Sequence, residues 1–146
     1  MYGILTPIHS LLRWAVLLLL LAVIFKSLHG LVTKRSFSNS DNKISLFMMI
    51  SAHTQLLVGI IYYFVAPSVQ LETTGEEHRF FTMEHSVMMI IAIVFMTLAR
   101  ILSKKGKTDA IKFRRLFIFS LIALIIIIMM IPWPFPFISH VTRPWF

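Results

Sequence analysis

Four apolar runs, each close to the length that crosses a bilayer, leave this chain few ways to fold. A hydrocarbon core about 30 Å thick takes about 20 helical residues to span, and the runs fall at about residues 7–32, 44–66, 80–102 and 110–131. Within lipid each run must satisfy its own backbone N–H and C=O groups, so helices are the expectation. With 58% hydrophobic residues and a mean hydropathy of +0.83, the 146-residue chain has more apolar surface than a water-soluble domain of this size buries. The sequence therefore predicts one all-α membrane domain over residues 1–146, an up-down-up-down four-helix bundle. It leaves no room for an extramembrane enzyme.

The ends of the runs carry helix punctuation. Pro7 suits a first helical position, and the second run stops before Pro67. Glu76 and Glu77 favour a helix start ahead of the third run. Thr108-Asp109 offers a cap for the fourth, and Pro132, Pro134 and Pro136 forbid regular helix beyond it. The first run lacks a basic stretch before it and a small-residue cleavage site after it, as expected of a retained span.

Charge sets the orientation. Lys34, Arg35 and Lys43 join runs one and two, and Lys104, Lys105, Lys107, Lys112, Arg114 and Arg115 join runs three and four. The other side holds Glu72, Glu76 and Glu77 against Arg79 and Arg143. The positive-inside rule makes both basic loops cytoplasmic and both termini extracytoplasmic. The net charge of +8 is thus a topology signal, pointing to anionic lipid head groups and not to nucleic acid. Trp133, Trp145 and the neighbouring phenylalanines read as an outer aromatic belt. The absence of cysteine excludes disulfides, iron–sulfur clusters and c-type haem attachment.

Ionisable groups inside the runs are costly enough to be functional candidates. His9 and Arg13 stand four apart on one helical face of the first run. His85 opens the third run, followed like His9 by a serine, a weak hint of a repeat between two hairpins. His53 sits inside the second. In an up-down-up-down bundle the first and third helices run the same way and can lie diagonally opposite, with a gap that side chains or a flat cofactor fills. Imidazole is a standard axial ligand of haem iron, and His9 with His85 is the best-matched pair. Counted from the basic ends, His9 lies about 25 residues above Lys34 and His85 about 18 above Ser103, a mismatch of roughly 10 Å. His53, about ten residues above Lys43, is the rival partner, a separate binder, or a core residue bonded to Ser51, Thr54 or Gln55. Arg13 needs a carboxylate, water or an anionic ligand, for which a haem propionate or Glu84 would serve, and Glu84 can also serve as a protonatable group near a quinone. His29 and His140 read as surface residues, His78 as a rim residue or as the partner of His9 at its own depth, Met83, Met88, Met89 and Met96 as core filling, and Gly59 as a close helix approach.

These residues resemble small four-helix bacterial membrane b-type cytochromes. The resemblance runs through His9-Ser10-x-x-Arg13-Trp14, Ala52-His53-x-Gln55-Leu56-Leu57-x-Gly59, Glu84-His85 and Ile131-Pro132-Trp133-Pro134. It implies a bis-histidine haem b drawn from His9, His85 and His53, with Arg13 beside it, and electron transport in the bacterial inner membrane with quinone as a partner. Two other readings stand beside it. One is a cofactor-free subunit or assembly factor of a larger respiratory complex, with His9, Arg13, His53, Glu84 and His85 as a structural polar network. The other is an intramembrane copper or zinc site on the same three histidines. No hydrolytic or phosphate-binding motif suggests a stand-alone enzyme.

Overall fold

The computed structural model describes residues 2–67, 69, 75–134 and 141–142. Glu72, Pro136, His140, Arg143 and Trp145 lie outside the described residues, so the expectations placed on them are not taken further. Four helices carry the fold: α1 (Tyr2–Thr33), α2 (Asn39–Val65), α3 (Glu76–Lys104) and α4 (Asp109–Met130). All four are long and apolar enough to span a membrane, and no strand occurs among the described residues. The all-α reading holds, and the helices pack as a four-helix bundle.

Helix ends follow local chemistry. α1 runs through Pro7 instead of starting there, because a missing N–H near a helix terminus removes only one bond. α2 starts five residues before the expected position. Ser38 and Asp41 form a capping box, with Asp41 N–H donating to Ser38 Oγ (3.4 Å) and Ser38 N–H to Asp41 Oδ2 (2.9 Å). α3 starts at Glu76 as predicted, and Thr108 caps α4 by accepting from Ile111 N–H at 3.3 Å. Past Met130 the chain turns extended at Ile131, ahead of Pro132 and Pro134.

Inside α3, residues Phe80–His85 form a π-helical turn, in which bonds run five residues back instead of four. The hydroxyl of Ser86 donates to Phe81 O at 2.6 Å, the same five-residue step. The sequence reading contained no such irregularity.

Neighbouring helices pack in chain order and α4 closes back on α1, which leaves α1 and α3 diagonal. Leu20, Val23, Met48, Met96 and Leu116 fill the middle, with Ala52, Ala92, Ala99 and Ala123 allowing close approach. Leu11, Leu18, Phe25, Leu57, Phe64 and Ile125 stand exposed, as suits side chains whose solvent is lipid.

Two polar ties close the basic end. Asp41, 1% exposed, takes a bidentate bond from Arg35 (2.7 and 2.8 Å) with Lys26 3.7 Å away. The bond to Asp41 raises the pKa of Arg35 above its usual value. Arg100 reaches from α3 to Asn42 O (2.8 Å), Asn42 Oδ1 (3.1 Å) and Ser45 Oγ (2.8 Å) on α2. Gly30 of α1 packs on the ring of Phe113, so close that a Cβ there would lie 2.5 Å from it. These ties level the helices against one another, and that level decides which histidines meet.

Candidate functional site

Near the end of the bundle remote from the basic loops, α1 and α3 approach through two imidazoles. The ring centres of His9 and His85 are 6.5 Å apart and the planes 63° apart. The expected depth mismatch shrinks because Lys34 is the wrong reference for α1. Gly30 packs on Phe113, and Ser103 donates to the carbonyl of the adjacent Lys112 (3.0 Å), so Gly30 and Ser103 lie at one level. Counted from there the two histidines are 21 and 18 residues up, a difference of about 5 Å.

His85 is held from three sides. Its Nδ1 lies 2.8 Å from the carbonyl of Met130, the last residue of α4, one of the helix-end carbonyls without an intrahelical partner. A carbonyl only accepts, so Nδ1 carries the proton and the neutral ring keeps its lone pair on Nε2. The rings of Phe80 and Phe81 flank it, each with its centre 5.8 Å away. In an α-helix residues five apart point roughly 140° apart. The π turn brings Phe80 and His85 back to one side.

His9 is held by α2. Its ring stacks on Tyr62 (5.6 Å, 26° between planes), whose hydroxyl lies 3.2 Å from Thr6 Oγ1. Gln55 Nε2 donates to the backbone carbonyl of His9 at 3.0 Å, which fixes the amide's orientation, and the same NH2 faces His9 Nε2 at 3.3 Å. The other ring nitrogen, Nδ1, and Gln55 Oε1 are buried without a hydrogen-bond partner among the described residues. Gly59 leaves the approach open, since a Cβ there would stand 3.3 Å from His9 Cε1.

Arg13 is half-buried, with its guanidinium 5.5 Å from the Trp14 ring centre and within electrostatic reach of both imidazoles. Glu84 pairs with Arg79 (Nε–Oε1 3.0 Å), not with Arg13. The π turn is again the reason, since Arg79 and Glu84 are also five apart. His53 stands apart from the pair. Its side chain is exposed on α2, with Nδ1 bonded to Met49 O of its own helix at 2.8 Å, two residues before the Gln55 that faces α1. Its neighbours Ser51 and Thr54 likewise bond their own helix, at Met48 O and Ile50 O. His29 is exposed and His78 half-buried, and neither is described in contact with His9. No three of the described His, Cys, Asp or Glu side chains come together as a metal-binding group, so the three histidines of the copper or zinc reading are not assembled.

The sequence reading attached Gln55 to His53 and missed Tyr62, Phe80, Phe81 and the Met130 carbonyl. One signal was present for the α2 wall. Gln55, Gly59 and Tyr62 recur at steps of four and three, a single helical stripe.

The donor set suits an axial pair. Two imidazoles that share one metal, each nitrogen about 2 Å from it, have ring centres roughly 6 Å apart. The observed separation is 6.5 Å. The hydrogen bond on His85 Nδ1 is the usual companion of a ligating Nε2. Fold and site together define a multi-pass α-helical membrane protein whose diagonal helices meet at a half-buried histidine pair. Comparison with protein-family models, curated proteins and solved structures finds no match for the chain.

Proposed function

We propose that the chain is a membrane b-type cytochrome of the bacterial inner membrane, with haem b held between His9 and His85 for electron transport. One observation carries the reading: two imidazoles on diagonal helices stand 6.5 Å apart, one of them with its Nδ1 committed to a backbone carbonyl. Deeper in the bundle Leu20 and Val23 of α1 and Ala92 and Met96 of α3 are buried apolar side chains.

Bound haem supplies one-electron redox chemistry, and the protein's contribution is ligation, orientation and exclusion of water. His85 would offer Nε2, oriented by Met130 O. His9 would offer a ring nitrogen from a face steadied by Tyr62 and Gln55. Arg13, one turn from His9, would balance propionates. Phe80 and Phe81 keep the surroundings apolar, which tunes potential through dielectric. Quinone is the partner that this reading implies.

The cofactor-free subunit remains the second reading, favoured by the contacts that His9 makes with Tyr62 and Gln55 on its own. An absorption spectrum of detergent-purified protein separates the two. A Soret band that shifts on reduction is expected, and a purified protein that neither contains nor takes up haem assigns it to the subunit class.

A further inference from the structure

Where α2 meets α3 near the basic end, a cation stands without an anion. Arg100 is 7% exposed, and its described bonds, to Asn42 O, Asn42 Oδ1 and Ser45 Oγ, all leave from Nη1 and reach neutral acceptors. No carboxylate pairs with it among the described residues, and Asp41 is taken by Arg35 and Lys26 on the α1 side. Its Nε and Nη2 have no described partner and are not enclosed, so they reach the bundle surface at the α2–α3 seam. An arginine keeps its charge, and an unbalanced one at the edge of hydrocarbon is costly.

Away from the basic end the seam continues as a groove. Asn42, Ser45 and Met49 follow one stripe of α2 at steps of three and four, and Thr97 precedes Arg100 by three on α3. Met49 and Thr97 begin an open groove of about 540 Å³, lined further by Ile50, His53, Thr54 and Leu57. From Met49 to Leu57 it runs roughly 12 Å along α2. In the other direction, Lys104 lies four residues beyond Arg100 on the same face of α3, and Lys43 follows Asn42 on α2. Both lysines are exposed, and neither stands in an ion pair among the described residues.

We infer that this seam binds one anionic phospholipid from the leaflet at the basic end, its phosphate against Arg100 and an acyl chain laid in the groove. Charge and shape together select the occupant. Nε and Nη2 of a guanidinium form the planar pair of donors that grips two oxygens of one phosphate. Lys43 and Lys104 favour a head group of net negative charge, such as phosphatidylglycerol. They repel the choline ammonium that phosphatidylcholine carries beside its phosphate. A soluble phosphate meets the cations but makes no use of the groove. The basic loops draw anionic lipid to the whole end of the bundle, whereas this seam holds a single molecule, with or without haem in the protein.

The test uses the full chain in detergent micelles, titrated with phosphatidylglycerol, phosphatidylcholine of the same acyl chains, and glycerol 1-phosphate. Bound lipid is counted by native mass spectrometry. One phosphatidylglycerol per chain is expected, held about tenfold more tightly than phosphatidylcholine. Arg100→Gln removes the phosphate grip but also a tie between helices, so two variants that spare Arg100 carry the test. Lys43→Gln combined with Lys104→Gln removes the flanking charges, and Thr97→Phe fills the groove. Each is expected to weaken phosphatidylglycerol binding about tenfold and to leave the melting temperature in lipid-free micelles unchanged. Equal binding of the two lipids, or undiminished binding in both variants, overturns the inference. Glycerol 1-phosphate that displaces the lipid at equal concentration gives the cations to a soluble anion. A dimer that forms without lipid and that Thr97→Phe dissociates gives the groove to a second copy. Either result overturns the inference as well.

Discussion

At the scale of single residues, the account rests on which polar atoms have partners. His85 is committed through Nδ1 and His9 is enclosed by Tyr62 and Gln55, whereas His53 looks outward. His53→Ala is therefore predicted to leave haem content within a few per cent of wild type, measured by pyridine haemochrome. Arg13→Leu should lower haem occupancy or midpoint stability, and Arg13→Lys should restore it only in part, because an ammonium lacks the planar fork that grips a carboxylate. Unchanged occupancy and melting in Arg13→Leu would show that the charge has no propionate to balance. Gly59→Leu pushes a side chain against a His9 ring that even a Cβ would meet at 3.3 Å. Overpacking of this kind costs about 1–3 kcal/mol, and the melting temperature should fall accordingly. The histidines as suspects were legible in the sequence, because imidazoles in apolar runs stand out. Their partners were not. The Met130 carbonyl carries no sequence signature, and the pairing of Arg79 with Glu84 needs a five-residue step that helical periodicity does not suggest.

At the scale of elements, the π turn over Phe80–His85 acts as one extra residue in α3. Deleting Thr82 turns the five-residue pairs Arg79–Glu84 and Phe80–His85 into four-residue pairs of a regular α-helix, which still share a face. Deletion of Thr82 is thus predicted to be tolerated, with the visible spectrum retained. Deletion of Met88, in regular helix, rotates His85 by roughly 100° against the rest of α3 and should abolish the spectrum. The opposite order of tolerance would remove the structural role given to the turn. The four spans themselves were readable because apolar length is a strong signal. The starts of α1 and α2 were not, since Pro7 is accommodated inside α1 and Ser38-x-x-Asp41 extends α2 by more than a turn.

At the scale of the whole molecule, the basic end is the clamp that sets helix level. Asp41 binds Arg35 and Lys26 while 1% exposed, so Asp41→Asn leaves cations facing a neutral amide and should cost about 1–3 kcal/mol in thermal or denaturant unfolding. Orientation follows from charge: a cysteine at exposed Ser36 should resist an impermeant thiol reagent in intact cells and react after lysis. Counting residues from Lys34 misjudged the level of His9, because α1 overhangs its contact with α4 at Gly30 and Phe113. No sequence pattern shows where one helix crosses another. The central claim, that His9 and His85 together hold one haem, is tested most directly by low-temperature electron paramagnetic resonance of the oxidised protein. A low-spin ferric signal of the bis-histidine type is predicted in the wild type and in His53→Ala, and its loss or conversion to high spin in His9→Ala and in His85→Ala. The same low-spin signal surviving in both His9→Ala and His85→Ala would contradict the account.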